Sequence, residues 1–246
     1  MEKKVRALLL NLFGFERYLS FVSTIYIRLI RAGLMKGKYP ELFFLKQIVK
    51  PGFVCIDIGA NVGYYSSFLS LFAGNEGHVY AVEPVALFAK IFRKNTVRFG
   101  LNNITLYQTA LGGSNGKVTM GTPVIDGVLR HGLTSVVNED QAKGMYTYEV
   151  PLQVPDELFA NLNRLDFIKC DVEGYEIYLF PHCMKTIERF KPIIQIEIST
   201  MENRKQIFSL LEPLGYKPHR IYLGELQPMQ IVEALHYEHG DFYLLP

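Results

Sequence analysis

Val54-Cys55-Ile56-Asp57-Ile58-Gly59-Ala60-Asn61-Val62-Gly63-Tyr64-Tyr65 runs from an apolar stretch through a glycine-containing turn into a helical start. The apolar run has the length of a buried strand, and Asp57 and glycine close it. Gly59 lets a ligand approach the backbone with no side chain between, and Gly63 lets the next helix begin close to the sheet. A dinucleotide fingerprint would place a glycine at 61, where this chain has Asn61.

Outward from this turn the chain alternates. Tyr64–Ala73 predicts a helix, Val79–Val82 a second strand, Leu87–Phe99 a helix with its basic residues outward, and Ile104–Thr109 a third strand. Leu165–Cys170, Ile193–Ile198, His219–Leu223 and Asp241–Leu245 supply later strands, giving seven in all. Tyr175–Phe190, broken near Pro181, and Met201–Leu214 supply helices between them. Strands separated by helices predict a Rossmann-like α/β fold with a doubly wound, mainly parallel seven-stranded sheet. Residues 110–164 interrupt the rhythm with short strand-like runs at Lys117–Met120, Thr134–Val137 and Tyr146–Val150. This β-rich insertion leaves the third strand and returns at the fourth, so it is expected to overhang the strand carboxyl ends as a lid. Upstream, residues 1–50 predict an N-terminal helical cap on a 51–246 domain.

The chemistry gathers at strand ends. Asp57 closes the first strand, and a carboxylate there suits a cationic ligand tail better than a pyrophosphate. S-adenosyl-L-methionine carries such a tail, an ammonium beside a sulfonium. Ala81-Val82-Glu83-Pro84 ends the second strand in an acid placed at the cleft mouth to bond both ribose hydroxyls. Asp166-Phe167-Ile168-Lys169-Cys170-Asp171-Val172-Glu173-Gly174-Tyr175-Glu176 ends the fourth. Alternation puts Lys169 and Asp171 on one face, with Asp171 at the carboxyl edge, and puts Gln195 and Glu197 on one face of the next strand. If those strands are neighbours, a polar column lies in the cleft. It either handles substrate and protons, or pairs Lys169 with Asp171 or Glu197 to settle buried charge, with holding a metal the least favoured reading.

The Asp57–Gly63 turn, Glu83-Pro84, the Lys169–Glu176 run, Pro192 and Glu197 together resemble the FkbM family of S-adenosylmethionine-dependent methyltransferases, over roughly residues 51–200. Where members often carry Leu-Asp before the fourth strand, this chain has Pro155-Asp156. The resemblance implies a class I methyltransferase fold and O-methylation of a hydroxyl on a small molecule, natural product or glycan. By position it assigns Asp57, Gly59, Asn61, Gly63 and Glu83 to the cofactor, and Asp171, Glu173 and Glu197 to the reacting end. Ala60, Tyr64, Pro84, Thr109 and Ala110 flank these positions and are expected at the cofactor too, as is Asp171. Direct displacement from a sulfonium needs alignment and, for a hydroxyl, a proton acceptor. Asp171 is the first candidate, then Glu197 and His131, although a lone loop histidine is more often a surface residue.

Charge excludes little by itself, at +2 overall. It is unevenly spread: residues 1–50 hold ten Lys/Arg against three Asp/Glu. That suggests an anionic contact at the amino terminus. Leu19, Val22, Ile25 and Leu29 make one apolar helix face, read as packing on the domain or on a second copy in a homodimer, with peripheral membrane contact the lesser reading. Around the apolar Leu19–Ile30 stretch, polar interruptions leave no uncharged run of 18 residues. Three unpaired cysteines and no zinc-like spacing predict a reducing, cytoplasmic setting and no metal. A nucleic-acid methyltransferase and a non-catalytic cofactor-binding module are the rival readings, but no Pro-Pro-Tyr or Pro-Cys motif is present, so nucleic acid is not expected.

Overall fold

The computed structural model describes residues 2–125 and 127–246, with side chains from residue 10 onward except 11. Two helices come first, α1 (Glu2–Arg31) and α2 (Pro40–Ile48). Gly14, with φ 71°, kinks α1. The alternating half follows as β1 (Val54–Ile58), α3 (Tyr64–Ala73), β2 (His78–Val82), α4 (Ala86–Arg98) and β3 (Ile104–Tyr107). The insertion holds β4 (Ala110–Leu111), β5 (Gly116–Ile125), β6 (Val128–Leu129), β7 (Ser135–Val136) and β8 (Met145–Gln153). Next come α5 (Pro155–Leu158), β9 (Phe167–Cys170), α6 (Glu176–Leu179), α7 (Met184–Phe190) and β10 (Ile193–Glu197). The chain ends with α8 (Met201–Leu211), β11 (Lys217–Tyr222), β12 (Glu225–Pro228), α9 (Ile231–Leu235) and β13 (Asp241–Leu245).

The main sheet has eight strands in the order β12-β11-β13-β10-β9-β1-β2-β3. From β10 to β3 neighbours run parallel, while β13, β11 and β12 pair antiparallel. The sheet is therefore mixed, and the expected count of seven is corrected by β12. That strand reads Glu-Leu-Gln-Pro, a polar edge sequence that gives no apolar signal and tolerates proline because its outer side is unpaired. The insertion forms its own sheet, with β4-β8-β5-β6 in order and β7 also on β5.

Strand alternation divides the core. Ile56, Ile58, Ile168, Cys170, Ile194 and Ile196 face a layer that includes Phe180, Ile187, Ile207 and Phe208. Cys55, Phe167 and Tyr243 face Leu45, Phe68 and Leu69 from α2 and α3. Each such side chain contributes roughly 1.5–3 kcal/mol when fully buried. All three cysteines are buried and free. Among the described residues, no helix is long and apolar enough to cross a membrane.

Candidate active site

A row of polar side chains runs across the sheet beneath the strand ends. Asp57 pairs in register with Lys169, Lys169 with Gln195, and Gln195 with Tyr243. All four are buried, Lys169 to 4% exposure. The polar column predicted from alternation exists, but its Gln195 end lies under the site rather than lining it. Lys169 Nζ donates to Asp171 Oδ2 at 3.0 Å and lies 4.6 Å from the centre of the Tyr65 ring. Burial alone would lower the Lys169 pKa, yet Asp171 and Asp57 outweigh it and hold the ammonium charged.

Asp57 does not meet the expectation of a carboxylate facing a ligand. It is 0% exposed and is not part of the cavity wall. Ser66 Oγ donates to its Oδ2 at 2.5 Å, and Oδ1 has no partner among the described residues. Burial raises its pKa, against the pull of Lys169 and Ser66. Asp57 thus acts from behind the turn, balancing Lys169 and tying β1 to α3.

The turn itself is shaped by its neighbours. Gly59 has φ 82°, and a Cβ there would sit 1.9 Å from the Asp171 carbonyl oxygen. Glycine is required at 59 because the Asp171 backbone, just past the end of β9, lies against the turn, in addition to any ligand approach. Gly63, with φ 94°, would put a Cβ 3.1 Å from the Phe92 ring, so it sets the close docking of α3. Asn61 between them holds φ 49°, a left-handed conformation that asparagine tolerates better than most residues.

Above this turn lies a cavity. Gly59, Ala60, Asn61, Tyr64, Glu83 and Pro84 line it, with Thr109 and Ala110 farther along the sheet. Asp171 and Glu173 line the opposite side, so the structure gathers ten of the thirteen predicted positions; Asp57, Gly63 and Glu197 stand outside the wall. Glu83 is buried, at 5% exposure, rather than standing at the mouth. Its Oε2 accepts from Asn61 N at 2.9 Å and its Oε1 from Val85 N at 2.8 Å. Burial pushes its carboxyl up to about 7. Each oxygen keeps a lone pair for a further donor.

The far end is acidic. Glu173, at φ 52°, has its carboxyl pushed up to about 7 by desolvation and by the charges of Asp171 and Glu197. Glu197 is likewise raised to about 7, by burial first and then by Asp171 and Asp241. Register places Glu197 opposite Asp241, and a Cβ on Gly240 would sit 3.2 Å from Glu197 Cγ, so Glu197 lies beside the start of β13 and is not part of the cavity wall.

Several wall residues were not singled out from the sequence. Tyr39 and Leu42 come from the N-terminal helices, and Met120, Gly132, Thr134 and Val136 from the insertion. His131, already named as the third proton-acceptor candidate though weighed against a surface position, packs at 5.9 Å edge-on to Phe88 and lines the cavity. Burial lowers its pKa to about 4, so the ring is neutral. Only the contrast between apolar and polar residues in the insertion could have signalled these positions, and it does not specify which side faces the sheet.

A family model described as the methyltransferase FkbM domain matches residues 57–218. The chain belongs to the FkbM methyltransferase family. A structure of an FkbM methyltransferase from Methylobacillus flagellatus aligns with a TM-score of 0.50 and 14% identity, over 81% of this chain and 49% of that one. That likeness shows the shared fold. A protein-L-isoaspartate O-methyltransferase from Thermosipho melanesiensis is 40% identical over 50 residues, 20% of this chain and 25% of that protein. The chain thus spans about half of the first relative and matches a quarter of the second.

The cofactor of the family is S-adenosyl-L-methionine, and the cavity fits it. Buried Glu83 offers free lone pairs suited to a ribose diol. Val82, Phe88 and Leu111 give an apolar wall suited to a purine, and Asp171 supplies negative charge at the other end for a cationic tail.

Proposed function

We propose that this FkbM-family chain transfers a methyl group from S-adenosylmethionine to a hydroxyl of a small molecule, natural product or glycan. One observation carries the reading: a single cavity holds the buried Glu83 at one end and the Asp171–Glu173 acids at the other. When bound, the cofactor supplies a methyl group already made electrophilic by its sulfonium. The remaining work belongs to the chain. Glu83 and the 59–63 turn hold the donor, and the walls limit water.

Glu173 is assigned the acceptor's proton. Asp171 is the first candidate by alternation, but its Oδ2 is already engaged by Lys169 Nζ at 3.0 Å. Glu173 lines the cavity and carries no such cation partner among the described residues. With its carboxyl near 7 it matches the working pH of a general base. Asp171 then orients the reacting end, and Lys169 holds Asp171. Residues 110–164 act as the lid, with residues 1–50 as a helical cap; His131 and Tyr39 in the wall support both assignments.

The test is a cofactor-consumption screen against hydroxylated metabolites and glycans, scored for the demethylated product. A hydroxyl acceptor turned over by the wild type and not by Glu173→Gln supports the reading. Turnover confined to amine, carboxylate or RNA acceptors overturns it.

A further inference from the structure

The exposed faces of α1 and α4 are basic. Arg17 and Arg28 of α1 and Lys94 and Arg98 of α4 line one groove, with Phe21 between them. Lys90 and Arg93 continue the series along α4, where both are exposed. Glu16 is the one acid among the described side chains of these two helices, and it is shared between Lys90 and Lys94 at 2.9 and 2.8 Å. Apolar side chains stand out among these cations: Phe21 is 61% exposed and Val97 83%.

We propose that this two-helix face docks the protein on an anionic lipid surface. The net charge of the whole chain is only +2, so the basic face is balanced by acids elsewhere. Such a polar distribution orients the molecule toward a negative plane. Cations and exposed apolar groups on one helical face match a headgroup layer, where phosphates meet the cations and the apolar tips enter the acyl boundary. A phosphate backbone alone would reward the cations and leave Phe21 and Val97 in water. A second copy meeting this face about a two-fold axis would set cations against cations.

The chain contains no tryptophan, so Phe21→Trp places a single reporter in the centre of the face. The full chain is mixed with vesicles of phosphatidylcholine alone, or of phosphatidylcholine with phosphatidylglycerol, and followed by emission and by co-sedimentation. Emission should shift to the blue, and the protein should sediment, with the anionic vesicles only. Added salt should reverse both. Arg17→Glu with Arg28→Glu should weaken vesicle binding roughly tenfold or more. Melting temperature and cofactor affinity of that variant should stay unchanged. Equal binding by wild type and the double variant overturns the proposal, as does no response to anionic vesicles. Two further results overturn it in favour of another partner. One is a concentration-dependent blue shift without lipid, which marks a second copy. The other is tight binding of polyuridylic acid, lost in the double variant, with no binding to vesicles.

Discussion

Asn61 and His131 are joined twice. Asn61 Nδ2 donates to the His131 carbonyl at 3.0 Å, and His131 Nδ1 lies 3.0 Å from Asn61 Oδ1. The first bond fixes the amide orientation, so in the neutral ring Nδ1 carries the proton and Nε2 is left as an acceptor. Thr134 Oγ1 also donates to the His131 carbonyl at 2.9 Å. The residue that replaces the second glycine of a dinucleotide fingerprint therefore fastens the insertion to the first turn. The same Asn61 donates its backbone N–H to Glu83, so insertion, turn and Glu83 form one connected unit.

Asn61→Gly should loosen that unit without straining the backbone, because glycine accepts the left-handed conformation at 61. Two hydrogen bonds are lost, about 1–3 kcal/mol in total. Hydrogen exchange at 128–134 should speed up, protease cuts within 110–164 should increase, and cofactor affinity should fall. Unchanged exchange and affinity would show that the insertion is held by packing alone.

Lys169→Met should lower stability by about 3–5 kcal/mol, because Asp57 and Asp171 would face each other without their cation. Burial of the ammonium at 4% exposure motivates this. A thermal melt decides it, and a melting temperature equal to that of the wild type would mean water reaches the site.

Glu83 gives cofactor binding a pH dependence. Its free-protein carboxyl stands near 7, above its ordinary 4.5, because burial disfavours the charge. On this group's account the free protein is more stable when protonated, fully so below 4.5, and loses that stability as pH rises through about 7. Ribose hydroxyls donate to the ionised form. Affinity should therefore be full above pH 7 and decline as pH falls below it. Calorimetry across that range should show the decline in the wild type. Glu83→Gln should bind weakly at every pH, with about 1.5–3 kcal/mol lost per charge-assisted bond. A flat wild-type profile would remove Glu83 from the ribose site.

Glu173→Gln should cut the turnover rate by ~10²–10⁴ with cofactor binding retained. Wild-type kcat should fall as pH drops below about 7, where Glu173 takes up a proton. Single-turnover methyl transfer separates it from Asp171→Asn, which disturbs Lys169 and should lower stability as well as rate. If Asp171→Asn alone abolishes transfer and Glu173→Gln transfers normally, the proton goes to Asp171.

The fold was readable where side-chain pattern follows local backbone. Val54–Ile58 and the strands after it are short apolar runs closed by turn residues, and the break in the helix near Pro181 falls where α6 ends and α7 follows. Chemistry that depends on distant partners was not readable. Asp57 looks like a ligand contact until Lys169, which is 112 residues later, is seen beside it in the sheet. Asp156, noted only as a departure from a family pattern, accepts from the N–H groups of Lys185 and Thr186 and caps α7. His131 reaches the cavity from a turn of the insertion and Tyr39 from the residue before α2, and no periodicity within either segment reports that.

On the proposed reading, the cavity over Gly59–Gly63 takes S-adenosylmethionine, although its turn lies at the place where related folds bind dinucleotides. Titration calorimetry of the wild-type chain against S-adenosylmethionine, its demethylated product and NAD tests this directly. Saturable binding of the first two, weakened in Glu83→Gln, with no heat from NAD, is the predicted result. Tight binding of NAD with no response to the methyl donor would contradict the account.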